Sequence, residues 1–385
     1  MNIRGRDCMK QAEYYFTQHL NSIIHDIERL VRAESPSQNK ELADQCKDVL
    51  QSFFQTYFNK RAVEYEMTQV GNHLAFSLGD VQDQILLVGH YDTVWEPNQL
   101  EYRETSDKIY GPGILDMKAS LISAIWLLKY IHDYQIPLKR KIVLFINSDE
   151  EIGSVTSRSI LEREAAKSEA AFILEPPVVG TGALKTARKG TSRYKLNIKG
   201  VSAHAGNNPQ DGVSAIKEAA KQILNIDAQA NQDAGTTINV GIVEGGGKLN
   251  VIPNEAHLEV DVRAQTKAEQ YRIDSFFERL QAMDARIDIE VEGGINRPPM
   301  EKTAESKRLF QIAEEEAEEL GFQLKEAKVG GASDGNFTSQ LCPTLDGLGF
   351  LGDGIHAEHE HILRDAIIER MALLTHTVLE YMVDA

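Results

Sequence analysis

Ile85-Leu86-Leu87-Val88-Gly89-His90-Tyr91-Asp92-Thr93-Val94 is the stretch that decides how this chain folds. Its first four residues are apolar without alternation, as expected of a strand buried on both faces. The run stops at Gly89-His90, where residues able to do chemistry begin. Two later runs repeat the pattern. Ile142-Val143-Leu144-Phe145-Ile146 ends at Asn147 and leads into Asp149-Glu150-Glu151, and Ala171-Phe172-Ile173-Leu174 leads into Glu175-Pro176-Pro177. Residues 118–131 are apolar on most faces, which predicts a buried helix, and helical patterns cover about 10–32 and 39–59. Strands alternating with helices predict an α/β fold with a mostly parallel, doubly wound sheet.

The pattern changes near residue 188. Tyr194, Leu196 and Ile198 alternate with polar residues, as do Ala256, Leu258, Val260 and Val262. Alternation predicts strands with one wet face. Helical spacing at about 213–224 and 267–282, a further strand at about 236–243 and a strand through Ile287, Ile289 and Val291 complete the order βαββαβ, a ferredoxin-like unit. The expected layout is a discontinuous catalytic domain, 1–187 and 299–385, interrupted by an α+β insert at 188–298. The returning chain is expected to give a strand at Gly347 to Leu351 and a helix at about 362–383. Glu314 to Glu319 reads as the solvated face of an amphipathic helix, because Leu309, Ile312, Ala313, Ala317 and Leu320 recur beside it at helical spacing.

A chain of 385 residues with 42% hydrophobic and 26% charged residues is globular and too long for one small domain. The net charge of −17 argues against a nucleic-acid surface or an anionic membrane surface, both of which need clustered Lys and Arg. Cys8, Cys46 and Cys342 are sparse and lack CxxC spacing, so reduced thiols are expected rather than a disulfide framework. No run approaches 18 apolar residues, and Met1 to Leu20 is polar without the apolar core of a signal peptide. A cytoplasmic protein is expected, without membrane or nucleic-acid partners.

Open α/β sheets bind ligands beyond the carboxyl ends of their strands. There the sequence places His90 and Asp92, Glu150 and Glu151, Glu175, and His356 with Glu360 four residues on; Asp116 opens the buried helix. Singly, such residues are surface charges or helix caps. Together they would repel and suffer desolvation unless cations held them. Imidazole and carboxylate donors suit zinc, and one carboxylate can bridge two ions.

The ordered series Gly89-His90-Tyr91-Asp92-Thr93-Val94, Gly111-Pro112-Gly113-Ile114-Leu115-Asp116-Met117-Lys118, Asp149-Glu150-Glu151-Ile152-Gly153-Ser154, Glu175-Pro176 and His356-Ala357-Glu358-His359-Glu360 is similar to that of the M20 metallopeptidases. These include glutamate carboxypeptidases, acetylornithine and succinyl-diaminopimelate deacylases, aminoacylases and peptidase T. The resemblance spans the chain and is closest to the glutamate carboxypeptidase branch. It implies two zinc ions per subunit, with cobalt or manganese as acceptable substitutes. His90 and Glu175 would hold one ion, Glu151 and His356 the other, and Asp116 would bridge them. Asp92 would orient His90, and Glu150 would act as general base. A cis peptide at Asp116-Met117 is implied as well. Gly200-Val201-Ser202-Ala203-His204-Ala205-Gly206 resembles a loop whose histidine stabilises the oxyanion across a homodimer, which gives the insert a dimerisation and lid role. Asn250, Arg263 and Arg297 resemble residues that hold substrate carboxylates, and Ser333, in a Gly-rich segment, resembles a substrate contact. Ala119 departs from the usual Gly, and His359 is a rival ligand to His356.

The activity expected is therefore zinc-dependent hydrolysis of an amide or peptide bond next to a free carboxylate, foremost a glutamate-type carboxypeptidase. An N-acyl-amino-acid deacylase or a dipeptidase would use the same site, on a small peptide or N-acyl amino acid. A catalytically silent metal-binding scaffold is the alternative from another class; Glu150, superfluous to such a module, argues against it.

Overall fold

The computed structural model describes the backbone of residues 3–384 and the side chains of residues 11–382. Two compact units emerge. One comprises the chain up to Ala187, Lys302–Lys328 and the chain from Ser333 onward; the other is Arg188–Glu301 with Val329–Ala332.

The first unit is built on an eight-stranded sheet in the order Val63–Tyr65, His73–Leu78, Lys141–Asn147, Gln84–His90, Ser168–Ile173, Thr344–Asp346, Leu184–Arg188, Glu326–Val329. Its four central strands are parallel. Antiparallel strands flank them on both sides. Every residue of Gln84–His90 is buried, because both sheet faces are covered. Ile85 and Leu87 pack with Ile27, Leu121 and Leu374 on one face. Leu86 and Val88 pack with Ile160, Leu161 and Phe337 on the other. Opposite faces for adjacent residues follow from the two-residue strand period, and double burial removes the need for alternation. The helix Ala119–Asp133 buries twelve of its fifteen residues, as its all-round apolar sequence requires.

Parallel register brings the strand ends together. His90 pairs with Asn147, and Val88 pairs with Ile173. The residues that follow Asn147 and Ile173 therefore leave the sheet beside His90.

Two expectations for the returning chain need correction. The sheet strand is Thr344–Asp346, not Gly347 to Leu351. Gly347 takes φ +92 and turns the chain out of the sheet, while Leu348 and Phe350 stay buried and so mimic a strand in sequence. His356 follows no strand of this sheet. It lies beyond Gly352–Asp353, in a small antiparallel sheet with His361–Leu363, Lys108–Tyr110 and Arg103–Glu104.

The second unit has one four-stranded sheet in the order Thr237–Gly245, Glu255–Ala264, Gly190–Lys199, Asp288–Arg297, with every pairing antiparallel. Helices Ala215–Asp227 and Lys267–Glu278 complete βαββαβ. Glu255–Ala264 alternates buried and less buried residues along its length. Leu196, Val260 and Phe277 share the core of this unit. Cys46 and Cys342 are buried and free; Cys8 lies outside the residues whose side chains are described.

Candidate metal centre

Five carboxylates and two imidazoles reach one region of the first unit. Asp116 divides its two oxygens between the imidazoles. Oδ1 lies 3.1 Å from His90 Nε2, and Oδ2 lies 3.6 Å from His356 Nε2. Glu175 Oε1 stands 3.6 Å from His90 Nε2, and Glu151 Oε2 stands 3.2 Å from His356 Nε2. Donor atoms of His90, Asp116 and Glu151 lie within 4.8 Å of one another, and so do those of His90, Glu150 and Glu175. Donors placed tetrahedrally around zinc at its usual bond lengths are separated by about 3.4 Å. The observed spacings fit that figure; His90 is common to the two groups, and Asp116, a member of one, meets the other through it.

The electrostatics show what the cluster lacks. Burial pushes the Glu151 carboxyl up to about 7, helped by the negative charges of Asp116 and Asp92. Hydrogen bonds to Asp116 and Glu151 push the His356 imidazole up to about 10. Burial alone would lower His90, yet its contacts with Asp116, Asp92 and Glu175 raise it well above the ordinary histidine value. Desolvation would raise Asp116, but His356 and His90 hold it well below the carboxylate range. The converging carboxylates thus favour positive charge at both imidazoles. Two divalent cations would supply it with correct geometry, so the donor set fits the dinuclear centre.

Local structure explains why these side chains converge. Asp92 is fully buried. Its Oδ1 lies 3.4 Å from His90 Nδ1. It also accepts the N–H groups of Glu150 and Glu151, each at 3.2 Å, and the Ser37 hydroxyl at 2.7 Å. Asp92 therefore meets the His90 ring through its carbonyl oxygen, 3.1 Å from Nδ1, as well as its carboxylate, and its carboxylate anchors the turn that carries both glutamates. That turn is held from behind as well. Asp334 accepts from Asn147 Nδ2 at 2.6 Å and from Ser154 Oγ at 2.5 Å, and Asp149 accepts from Thr156 N and Oγ1, both at 2.7 Å. The Asp116-Met117 peptide is cis. Gly113, at φ +68, opens this loop where a side chain would collide with Thr93.

Glu360 is the functional-site residue that sequence reasoning left without a role. It is buried, with 1% of its surface exposed. Oε1 accepts N–H groups from Leu115 at 2.9 Å and Asp116 at 3.1 Å. Oε2 accepts from Gly113 N at 3.0 Å and Trp95 Nε1 at 2.7 Å. It ties together the backbone from which Asp116 projects. Ser37, in Ser35-Pro36-Ser37, was missed for a similar reason: nothing local shows that its partner lies 55 residues away.

Ser333, expected as a substrate contact, has its hydroxyl engaged within the protein. It is fully buried, and its hydroxyl donates to Asp346 at 2.6 Å and accepts from Gly335 N at 3.0 Å. It braces the Gly-rich segment from within. His356 and His359, the rival ligand, are both exposed and lie outside both donor groups among the described residues; it is His356 whose Nε2 meets Asp116 and Glu151.

The remaining predicted residues lie in the second unit. His204 is exposed, and its Nδ1 accepts the N–H groups of Gly206 at 3.1 Å and Asn207 at 2.9 Å. The neutral ring must therefore carry its proton on Nε2. The Asn250 carbonyl accepts from Ala205 N at 3.0 Å, which joins the two loops. Arg263 and Arg297 both pair with Thr191, one from each neighbouring strand. They occupy one row on one face of the sheet, with backbones about 10 Å apart. Arg263 also pairs with Asp261 through two contacts of 2.8 and 3.2 Å.

Residues 86–380 match the family model for peptidase family M20/M25/M40. The chain belongs to this family. It is accordingly a hydrolase of the metallopeptidase and amidohydrolase type. Carboxypeptidase G2 of Pseudomonas sp. (strain RS-16) is 28% identical over 377 residues, covering 94% of this chain and 90% of that protein. A succinyl-diaminopimelate desuccinylase of Sulfurimonas denitrificans is 24% identical over 348 residues, covering 86% of this chain and 93% of its own. The YXEP protein of Bacillus subtilis, described as a dinuclear metal-binding peptidase of the M20 family, shares the fold. Its TM-score is 0.69 at 15% identity, over 95% of this chain and 99% of that one. Among the described residues, no helix is long and apolar enough to cross a membrane.

Proposed function

We propose that this M20 hydrolase uses two zinc ions to cleave an amide or peptide bond beside a free carboxylate, acting as a glutamate-type carboxypeptidase. The observation that carries the dinuclear reading is Asp116, whose two oxygens face His90 and His356 separately. His90 and Glu175 would hold one ion, Glu151 and His356 the other. Bound there, the ions would polarise the scissile carbonyl and acidify the attacking water. Glu150 takes the proton of that water and returns it to the amide nitrogen as the C–N bond breaks. Asp92 keeps His90 oriented throughout.

Arg263 and Arg297 supply paired guanidinium groups for a substrate carboxylate, a task for which their planar forks are suited. Asn250 adds an amide beside the His204 loop. Likeness to carboxypeptidase G2 over nearly the whole chain supports the glutamate-type assignment. His204, held with Nε2–H outward, can donate to the carbonyl oxygen as it gains charge. We assign that donor to the second subunit of a homodimer. The insert offers a surface for such pairing. Thr237–Gly245 is an edge strand with Val243 60% exposed, and Leu224, on the helix packed against it, is 73% exposed. Open, apolar sheet edges favour association with a second copy. Buried free thiols suit a cytoplasmic setting.

The test is a hydrolysis screen of zinc-loaded protein against folyl- and benzoyl-glutamate, N-acyl amino acids and dipeptides. Preferred release of glutamate supports the proposal. Preferred turnover of N-acetyl or N-succinyl amino acids lacking a terminal glutamate would favour the deacylase reading instead.

A further inference from the structure

We infer that His73 is a positioning residue for the general base, acting through a relay of hydrogen bonds that clamps the two ends of the turn carrying Glu150 and Glu151. The inference rests on the amidohydrolase reading above, which gives Glu150 its role.

His73 opens the strand His73–Leu78 of the first unit and is fully buried. That strand pairs with Lys141–Asn147, whose end leads directly into the turn. The two ring nitrogens of His73 reach opposite ends of it. Nδ1 lies 3.2 Å from Ser148 N, ahead of Glu150, and Nε2 lies 2.9 Å from Thr156 Oγ1, beyond Glu151. A rigid planar ring engaged on both sides holds these two points at one separation.

Proton placement gives the relay one direction. A backbone N–H only donates, so Nδ1 accepts from Ser148 and the neutral ring carries its proton on Nε2. Burial pushes the imidazole below the ordinary histidine value, which keeps it neutral. Nε2–H therefore donates to Thr156 Oγ1, and the Thr156 hydroxyl donates in turn to Asp149 Oδ2 at 2.7 Å. That oxygen also accepts Thr156 N at 2.7 Å and Ser157 N at 3.2 Å, and the Asp149 carbonyl accepts Ser154 N at 2.7 Å. Asp149 immediately precedes Glu150, so its own orientation sets where the base leaves the backbone. Asp92 holds the N–H groups of Glu150 and Glu151. His73, Thr156 and Asp149 fix where the same segment starts and ends.

The experiment breaks the relay at its middle. Thr156→Val keeps the side-chain shape without the hydroxyl, and Thr156→Ser keeps the hydroxyl. Both are assayed as zinc-loaded, full-length protein on whichever substrate of the screen above the wild type turns over. Thr156→Val should lower kcat by about 10- to 100-fold, the range for groups that orient ligands, with KM changed by less than about twofold. Thr156→Ser should recover most of that loss. His73→Asn still offers Ser148 an acceptor but does not reach Thr156, so it should match Thr156→Val. The double variant should be no slower than either, because both changes cut one path. An unchanged kcat in Thr156→Val, a loss that Thr156→Ser does not recover, or losses that multiply in the double variant would overturn the inference. If His73→Asn does not fold, the Thr156 pair decides alone. If the wild type turns over none of the substrates, the proposed activity fails by itself, and zinc affinity from chelator competition decides about the relay. Weakening by about tenfold or more in Thr156→Val, with recovery in Thr156→Ser, supports it; equal affinity in all three proteins removes it.

Discussion

Replacing Glu360 by Gln probes how the bridging aspartate is held. The carboxylate accepts four N–H groups, two on each oxygen, from Leu115, Asp116, Gly113 and Trp95. Glutamine has nearly the same shape but only one oxygen. It can serve one pair of donors, while its amide nitrogen confronts the other pair. Two hydrogen bonds to a charged acceptor are lost, at about 1.5 kcal/mol each, or about 3 kcal/mol in all. Trp95→Phe removes one donor and leaves the carboxylate three others, so about 1 kcal/mol is expected. Denaturant unfolding of the metal-free protein measures both. Because the Asp116 N–H is among the donors, slackening this loop should also weaken metal binding by about 10- to 100-fold, the range for residues that orient ligands. Competition titration against a zinc chelator reads that directly. A loss below about 1 kcal/mol in Glu360→Gln, together with unchanged zinc affinity, would refute the reasoning.

Other expectations follow from the same geometry. Glu150→Gln should lower kcat by at least about a thousandfold while the bound metal stays near the wild-type amount, measured by kinetics and elemental analysis on the same sample. Activity within tenfold of wild type would remove the general-base role. His204→Ala should lower kcat by about 100- to 1,000-fold with KM little changed, the pattern of a donor used in the transition state. A rise in KM alone would instead make His204 a substrate-binding residue. Gly113→Ala should destabilise the fold by about 1–3 kcal/mol, since φ +68 disfavours a side chain and Thr93 fills the space; an unchanged denaturation midpoint would contradict the packing described.

What the sequence reveals about this molecule tracks burial. Strands such as Gln84–His90 lie between two covered faces, so they read as apolar runs with abrupt polar ends. Those ends are where His90, Glu151 and Glu175 sit. The flanking strands were not legible. His73–Leu78 starts with a buried histidine that bonds Thr156, 83 residues away, and Leu184–Arg188 mixes Lys, Thr and Arg into a buried strand. Burial without a chain-local signal also misplaced the strand near 347, where Leu348 and Phe350 pack as loop residues between glycines. Residues acting through distant partners were the hardest to read. Glu360, between two histidines, has the appearance of a solvated charge; its partners lie 244 to 265 residues away. Ser333 has the opposite history: a hydroxyl in a Gly-rich segment looks available, yet Asp346 takes it.

The dinuclear centre is tested most directly by counting metal. Equilibrium titration of the chelator-stripped protein with zinc, followed by elemental analysis after desalting, should give two ions per chain. Asp116→Ala, which removes the carboxylate facing both histidines, should weaken both sites together. A single ion per chain at saturation, or an Asp116→Ala variant that still binds two with wild-type affinity, would contradict the account.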